Sequence, residues 1–212
     1  MEDIIVVENV SKRFGDNLVL DDVSVSFEKG KIHGIIGRNG SGKTMLMKCI
    51  CGFVPVTSGT ITVEGKRVGK DIDIPHNMGI IIETPGFLNS YSGYNNLKFL
   101  AGINKKISKD RIVEIMELVK LDPANKKHVG KYSLGMRQRL GLAQALMESP
   151  DILILDEPMN GLDQSGVNEM RDILSSLAKE GTTIIMANHN SEDIELLCDT
   201  VCEMELGKIK NR

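Results

Sequence analysis

Tryptophan is absent from this sequence of 212 residues, and aromatic residues make up only 4% of it. The sequence also lacks any apolar stretch near the roughly 18 to 20 residues that are needed to cross a bilayer. Its acidic start, Met1-Glu2-Asp3, has neither the basic nor the apolar region of a secretory signal peptide. These absences argue against a membrane-spanning or secreted chain, so we expect the protein to stay in the cytoplasm.

A strong charge of either sign is missing as well. The sequence has 26 Lys and Arg residues against 29 Asp and Glu residues, which gives a net charge of −3. This balance provides no broad basic field for a nucleic-acid backbone or an anionic membrane, although a local patch is compatible with it. We therefore expect no nucleic-acid partner.

Cysteine is scarce, and its spacing does not suggest a metal site. The four cysteines form a Cys-x-Cys pair, Cys49 and Cys51, and a Cys-x-x-x-Cys pair, Cys198 and Cys202. Neither pair has the usual spacing of zinc ligands, so buried free thiols are favoured over a metal site.

The length and the apolar pattern predict one functional unit with a split core. A chain of 212 residues is too short for two full α/β domains, and its composition is that of a globular protein. Apolar residues recur at helical spacing only in the middle of the chain, behind a candidate cap at Ser108. We therefore predict a core formed by 1–83 and 150–212, with an inserted helical lobe at 84–149. The main strand candidates are 4–10, 23–27, 32–36, 60–64, a fully buried 79–82, 152–155 and 182–187.

A glycine-rich loop lies between the predicted strand at 32–36 and a predicted helix at 45–50. It fits the pattern Gly-x-x-x-x-Gly-Lys-Ser/Thr, which requires this order of strand, loop and helix. Glycines permit positive φ angles, so backbone N–H groups turn inward around phosphate oxygens, and the following helix points its positive end at the same anion. The loop residues are Gly37, Arg38, Asn39, Gly40, Ser41, Gly42, Lys43 and Thr44.

Two side chains of this loop have predicted roles. Lys43 provides a point charge for the β- and γ-phosphates of a nucleotide, and the Thr44 hydroxyl is a natural ligand for the magnesium ion that bridges them. Arg38 and Asn39 occupy variable positions of the pattern and are assigned backbone contacts only. The alternative is a glycine-rich turn with a solvated lysine, which the flanking strand and helix disfavour.

Two carboxylates, Asp156 and Glu157, follow the apolar strand at 152–155. In open α/β sheets ligands bind at the carboxyl ends of the strands, so Asp156 is placed to hold magnesium, directly or through water. Glu157 is then a candidate general base that polarises the attacking water. A strand that ends in Asp-Glu is often only a solvated turn, but the phosphate loop in the same chain favours the catalytic interpretation.

Taken in order along almost the whole chain, these motifs resemble those of the ATP-binding-cassette (ABC) family. The stretch from Tyr132 to Arg139 occupies the position of the family's signature, shortly before the acidic strand and at the start of a helix. The resemblance implies an α/β fold, namely a P-loop NTPase ABC ATPase core with a mainly parallel sheet, an N-terminal antiparallel β subdomain and an inserted α-helical subdomain. It also implies that the chain binds ATP and Mg²⁺, hydrolyses ATP, and sits on the cytoplasmic face of the membrane through a separately encoded integral membrane permease.

The resemblance further implies a nucleotide-dependent dimer, which we expect to be a homodimer. In the family two subunits face head to tail, so each nucleotide lies between the phosphate loop of one subunit and the signature of the other. Ser133, Leu134 and Gly135 are then expected to contact the nucleotide of the second subunit, with the Gly135 N–H at a helix N-terminus. Asp163 resembles part of the loop that communicates across the dimer. A role for Ser133 as the cap of its own helix is compatible with this contact.

Three more residues match positions of the family pattern. Phe14 stands where the family places an aromatic ring under the adenine, with Val19 packing nearby, although core packing is an alternative for Phe14. His189, after the strand at 182–187, resembles the histidine that senses the γ-phosphate and orients Glu157. A lone histidine at a strand end would otherwise be structural, and the order of the motifs favours the catalytic role.

Two positions depart from the usual pattern of the family. Glu83 stands where glutamine is usual, and Leu134 stands where a second small residue is usual. Together with their neighbours they resemble the bacitracin-export and lantibiotic-immunity branch, which implies an exporter of peptide antibiotics or other drugs. A carboxylate at position 83 is an additional candidate magnesium ligand. The alternatives are a non-transport ABC ATPase of the DNA-repair or translation type and a regulatory module that binds ATP without hydrolysing it.

Overall fold

The computed structural model describes residues 2–104, 107–189 and 191–211, which form two β-sheets and six α-helices. The strands are β1 (Asp3–Phe14), β2 (Asn17–Glu28), β3 (Ile32–Ile36), β4 (Ser58–Val63), β5 (Lys66–Arg67), β6 (Met78–Ile81), β7 (Ile152–Asp156), β8 (Thr183–Asn188), β9 (Thr200–Glu205) and β10 (Lys208–Asn211). The helices are α1 (Lys43–Ile50), α2 (Gly93–Asn104), α3 (Lys109–Leu118), α4 (Leu134–Leu146), α5 (Gln164–Lys179) and α6 (Ser191–Leu197).

The smaller sheet is antiparallel and has the strand order β2-β1-β4-β5. This confirms the antiparallel N-terminal part of the predicted fold. β1 continues to Phe14, although the β-branched run predicted a strand only to Val10. Register shifts around Val10 and Lys12 keep the later residues paired with β2. The prediction ended early because these irregular pairs no longer follow a regular apolar alternation.

The larger sheet has the order β10-β9-β3-β8-β7-β6. All its neighbouring strands are parallel except β9 and β10, which pair antiparallel. The predicted mainly parallel sheet is thereby confirmed. The order places β8 between β3 and β7, with β6 on the other side of β7, so the segments that follow these four strands meet at one edge of the sheet.

The core lies on both faces of the larger sheet. In β7, Ile152 and Ile154 pack with the cluster that includes α1 and the smaller sheet. Leu153 and Leu155 pack with the cluster that includes residues of α3, α4 and α5. A parallel strand covered on both faces has no reason to alternate apolar with polar residues, which explains its continuous apolar run.

Strand β6 shows where the apolar pattern misled the prediction. The run at 79–82 predicted a fully buried strand, but β6 is Met78–Ile81 and lies at the edge of the sheet, where Met78 and Ile80 are only half-buried. The prediction of full burial was wrong because an apolar run does not reveal whether a strand is central or at an edge.

Helices α2, α3 and α4 all lie within the segment 84–149, whose exact bounds as a subdomain stay a prediction. The predicted cap is confirmed, because the Ser108 side chain accepts a hydrogen bond from the Arg111 backbone N–H at 3.1 Å. Within the described ranges, no helix combines the length and the apolar character needed to span a bilayer. The cysteines are free thiols as predicted; Cys49 and Cys51 are buried, whereas Cys198 and Cys202 are half-buried.

Candidate nucleotide-binding site

The residues that the sequence singled out gather at the carboxyl edge of the larger sheet. The phosphate loop follows β3, Glu157 follows β7, and His189 follows β8. Glu83 lies two residues beyond β6. The topology therefore brings together four segments that are up to 152 residues apart, from Gly37 to His189 in the sequence.

Glycines of the phosphate loop occupy conformations that other residues rarely adopt. Gly40 and Gly42 have φ angles of 80° and 110°, and Gly42 directly precedes α1. At Gly37 a Cβ atom would lie 2.3 Å from the Met204 carbonyl oxygen and 2.6 Å from Ser41 Oγ. The Met204 backbone and the Ser41 side chain thus pack closely against Gly37, and a side chain at position 37 would displace the loop.

Lys43 lies across the loop and is almost fully buried. Its Nζ donates to the Gly37 carbonyl at 2.6 Å and to the Arg38 carbonyl at 3.1 Å. Burial lowers the pKa of Lys43, while the negative charges of Glu157 and Asp156 act in the opposite direction. Its cation is held at the loop by neutral acceptors, which leaves its charge available to an anionic ligand.

Ser41 provides an independent test of whether this loop fits a phosphate. Its Oγ is buried and has no hydrogen-bond partner within the described residues. Native proteins rarely leave a buried hydroxyl unpaired, so each such atom calls for a partner that is not protein. A hydroxyl, the Lys43 ammonium and the N–H groups of the helix N-terminus together form a donor set suited to phosphate oxygens.

The candidate magnesium ligands Thr44 and Asp156 are in direct contact. Thr44 Oγ1 donates to Asp156 Oδ2 at 2.6 Å, which joins the start of α1 to the end of β7. Burial raises the pKa of Asp156, and the Thr44 hydrogen bond opposes this shift. A hydroxyl and a carboxylate beside a phosphate loop are the oxygen ligands that Mg²⁺ takes together with nucleotide phosphates, so the residues fit the ion.

Glu157 is positioned by contacts from three directions. Its φ angle is 50°, which is unusual for a residue other than glycine, and its backbone N–H donates to the Ala187 carbonyl at 2.9 Å. Gln138 of α4 donates from Nε2 to the Glu157 carbonyl at 3.1 Å. His189 Nδ1 lies 3.0 Å from Glu157 Oε1, so the predicted base and the predicted sensor are hydrogen-bonded.

The third candidate magnesium ligand, Glu83, has a protein partner. Its Oε1 lies 2.5 Å from Nζ of Lys48, on α1, and its own φ angle is 61°. Sequence reasoning assigned no role to Lys48 or to Gln138. A signal was present for Lys48, because it lies one helical turn after Thr44 and therefore on the same face of α1.

The signature residues lie at the start of α4. Ser133 caps this helix, since its Oγ accepts from the Met136 N–H at 3.2 Å. The Leu134 side chain is 52% exposed and packs against Gly161, where an added Cβ would lie 2.3 Å from Leu134 Cδ2. Asp163 caps α5 through the Gly166 N–H at 2.8 Å. Ser133, Leu134 and Asp163 are exposed, and Gly135 is half-buried, which leaves their surface accessible to a second subunit.

The two residues predicted to contact the adenine, Phe14 and Val19, lie in different surroundings. Val19 lines the same cavity as the phosphate loop, whereas Phe14 lies outside its wall. The Phe14 side chain is 50% exposed, which argues against the core-packing alternative. Lys12 Nζ lies 4.6 Å from the centroid of the Phe14 ring and also donates to the Pro55 carbonyl at 2.7 Å. One face of the ring is therefore covered by a cation.

A cavity of about 510 Å³ joins most of these residues. Its wall combines the phosphate loop, the acidic strand end and the start of α4, with some side chains that the sequence did not single out. The lining residues are Val19, Asn39, Gly40, Ser41, Gly42, Lys43, Thr44, Met45, Lys48, Glu83, Thr84, Pro85, Leu134, Arg137, Gln138, Asp156, Glu157 and Asn160.

Known proteins share this fold over nearly its whole extent. A nucleotide-free ATP-binding cassette from an ABC transporter superposes with a TM-score of 0.86 at 25% identity, covering 98% of this chain and 90% of that one. A dimeric bacterial ABC transporter cassette has a TM-score of 0.87, covering 98% and 97%, and at 19% identity supports the fold alone. The predicted fold class is thereby confirmed.

Curated relatives share more of the sequence than these solved structures do. The ABC transporter ATP-binding protein YybJ of Bacillus subtilis (strain 168) is 45% identical over 98% of this chain and 95% of its own length. The bacitracin transport ATP-binding protein BcrA of Enterococcus faecalis is 41% identical, covering 99% and 68%. The lantibiotic transport ATP-binding protein SrtF of Streptococcus pyogenes is 38% identical, covering 96% and 87%.

The family described as ABC transporter matches residues 20–160, a segment that contains the phosphate loop, the signature and the acidic strand end. This match, the relatives and the site geometry agree with one another. The chain therefore belongs to the ABC transporter family, as one of its ATP-binding, ATP-hydrolysing subunits.

Proposed function

We propose that this chain hydrolyses Mg²⁺-bound ATP and passes the resulting movement to a separately encoded integral membrane permease. The observation that carries the proposal is a pair of contacts at one sheet edge. Thr44 Oγ1 meets Asp156 Oδ2 at 2.6 Å, and His189 Nδ1 meets Glu157 Oε1 at 3.0 Å. Two candidate magnesium ligands and a hydrogen-bonded candidate general base thus lie next to each other at the carboxyl edge of the larger sheet, where the phosphate loop also begins.

The phosphate loop is the proposed ATP-binding element. Lys43 and the backbone N–H groups of residues 37–44 hold the phosphates. Val19 lines the same cavity, and Phe14, outside its wall, would stack on the adenine ring. Thr44 and Asp156 would hold magnesium, with Glu83 as a third ligand candidate. The ion, when bound, would neutralise charge that develops on the transferred phosphoryl group.

Glu157 is the proposed general base. It accepts the proton of the attacking water, and His189 orients its carboxylate through the 3.0 Å contact. The strained φ angle of Glu157 and the Gln138 hydrogen bond fix its backbone, so the carboxylate starts from a defined place. General base catalysis of this kind contributes about 10² to 10⁴ in rate.

A second copy of the chain is the proposed dimer partner. Ser133, Leu134 and Gly135 would meet the nucleotide of that copy, and Asp163 would contact that copy across the dimer; their accessible surface supports these contacts. Closure of two copies around two nucleotides, followed by hydrolysis and loss of phosphate, would drive the permease. The subunit would therefore lie on the cytoplasmic face of the cell membrane, held there by the permease.

The proposed cargo class is peptide antibiotics or other drugs, moved outward. It rests on the names of BcrA and SrtF, which are a bacitracin transport and a lantibiotic transport ATP-binding protein. No residue described here touches cargo, so the class follows from the relatives and not from the site.

Phosphate release and nucleotide binding by the purified chain test the proposal directly. We expect saturable ATP binding and Mg²⁺-dependent phosphate release, both lost in Lys43→Ala. Affinity purification from membranes should then recover an integral membrane protein, and cells with the Glu157→Gln variant should lose protection against the exported peptide. A chain that neither binds nucleotide nor releases phosphate would contradict the enzymatic part, and unchanged peptide susceptibility would contradict the cargo class.

A further inference from the structure

Lys48 stands directly beside the proposed magnesium site. Thr44 and Lys48 are four residues apart in α1, so both project from the same face of that helix. Lys48 Nζ lies 2.5 Å from Oε1 of Glu83, which stands two residues beyond β6. Lys48, Thr44, Glu83 and Asp156 line one continuous cavity.

The wall of this cavity carries both acidic and basic side chains. Asp156, Glu157 and Glu83 place three carboxylates on its wall. Lys43 donates to two backbone carbonyls of the loop, whereas the ammonium of Lys48 contacts Glu83. The ammonium of Lys48 thus offsets the negative charge of Glu83.

The two partners differ in solvent exposure. The Lys48 side chain is only 25% exposed, whereas the Glu83 side chain is 65% exposed. The Glu83 backbone, at a φ angle of 61°, is held in a conformation that is rare for a residue other than glycine. The exposure of the Glu83 carboxylate leaves room for it to change partner by side-chain rotation.

We infer that Lys48 competes with a magnesium–nucleotide complex for the Glu83 carboxylate, so that the complex must displace the ammonium of Lys48 before it can recruit Glu83. The inference rests on the proposed function. Glu83 would then have two alternative cationic partners, the ammonium of Lys48 and the divalent ion that Thr44 and Asp156 would hold. Lys48 therefore sets the magnesium concentration at which nucleotide binding becomes tight.

Magnesium titrations of nucleotide binding test this competition without any turnover. A fluorescent, non-hydrolysable ATP analogue is bound to the full chain, and the Mg²⁺ concentration for half-maximal binding is measured. The proteins are the wild type, Lys48→Met, Glu83→Gln and the double variant. Lys48→Arg keeps the ion pair, and Lys66→Met changes the net charge equally at an exposed site in the other sheet.

Replacement of Lys48 should lower the Mg²⁺ requirement for nucleotide binding mainly when Glu83 is present. We expect Lys48→Met to lower the half-maximal Mg²⁺ concentration by about 2- to 5-fold, the range set by a partly exposed ion pair. In the Glu83→Gln background the same change removes only charge repulsion, so its effect should be smaller by at least about 2-fold. Lys48→Arg and Lys66→Met should behave like the wild type.

Each other outcome has a definite meaning. Equal effects of Lys48→Met in both backgrounds, or a higher Mg²⁺ requirement in the single variant, would overturn the role of Lys48 and leave the proposed function intact. A wild-type chain that binds the analogue without any Mg²⁺ dependence would overturn Glu83 recruitment as well. Failure of the wild type to bind the analogue at all would contradict the proposed function itself.

Discussion

Arg139 of α4 and Glu169 of α5 form an ion pair of 2.9 Å that ties the signature helix to the helix after the acidic strand. The same Arg139 Nη1 also donates to the Val119 carbonyl, at 3.2 Å, just beyond the end of α3. One largely buried guanidinium thus holds three helices together.

Replacement of Arg139 by Met should therefore destabilise the chain. The variant leaves the buried Val119 carbonyl without its charged donor, a loss of about 1.5 to 3 kcal/mol in the free energy of unfolding. Urea and thermal unfolding measure the change, and for a domain of this size we expect a drop in Tm of about 2 to 4 °C per kcal/mol. Arg67→Met, at an exposed site, should change stability by less than about 0.5 kcal/mol. Equal losses in the two variants would argue against a linking role for Arg139.

The phosphate loop and the acidic pair could be predicted from the sequence because each consists of residues that are adjacent in the chain. The phosphate loop depends on backbone conformations within eight residues, and the Asp156–Glu157 pair directly follows the apolar run of β7. The order of strands then brought them together at one edge. These parts of the fold and of the site were predictable for physical reasons.

Other contacts were not predictable, since they depend on which faces of distant elements meet. Nothing near Gln138 in the sequence indicates that its amide reaches the Glu157 carbonyl, 19 residues away. The Lys48–Glu83 pair requires the register of α1 against the segment after β6. The edge position of β6 is likewise a property of the sheet and not of its residues.

Gly79 in β6 and Gly102 in α2 should respond in opposite ways to replacement by alanine. A Cβ at Gly79 would lie 2.4 Å from the Ala145 carbonyl oxygen and 2.6 Å from Leu153 Cδ2, whereas one at Gly102 meets nothing within 4 Å. We expect Gly79→Ala to destabilise by about 1 to 3 kcal/mol through overpacking, and Gly102→Ala to stabilise by about 0.5 to 1 kcal/mol through helix propensity. Chemical unfolding checks both, and a neutral Gly79→Ala would show that α4 can move away from β6.

His33 should make stability depend on pH. Its Nε2 donates to the Glu28 carbonyl at 2.8 Å, so its Nδ1 accepts from the Thr200 hydroxyl at 2.6 Å, and burial lowers the pKa of the ring. The unfolded chain therefore binds this proton at a higher pH than the native one, near the ordinary value of about 6.5. Stability from His33 is complete above that pH and falls as the pH drops toward the lowered native pKa.

Urea unfolding between pH 7.5 and 5.5 measures how steeply the free energy of unfolding changes with pH. The contribution of one group cannot exceed about 1.4 kcal/mol per pH unit. His33→Gln removes the titrating ring, so the slope of the variant should be flatter than that of the wild type across this window. Parallel slopes would mean that the pKa of His33 is the same in the folded and unfolded states.

Phe14 should contribute to nucleotide affinity without selecting the base. Lys12 covers one face of the ring, so stacking is available only on the other. Base stacking on aromatic rings is worth roughly 1 to 3 kcal/mol in nucleic-acid proteins and tolerates any base, so Phe14→Ala should weaken ATP and GTP by a similar factor of about 5 to 150. Phe14→Tyr should retain binding. Phe53→Ala, another half-exposed phenylalanine, is the control and should leave affinity unchanged; a loss specific to ATP would contradict simple stacking.

Glu157→Gln should separate nucleotide binding from turnover. The amide keeps the shape and a hydrogen-bonding contact with His189 but cannot accept the proton of the attacking water. We expect ATP affinity within about 3-fold of the wild type and a fall in phosphate release of about 10² to 10⁴. Equilibrium binding and single-turnover phosphate release measure the two quantities independently. Glu117→Gln, at an exposed position of α3, should leave both unchanged. Undiminished hydrolysis by Glu157→Gln would show that another group takes the proton, and weakened binding would show that Glu157 acts in the ground state.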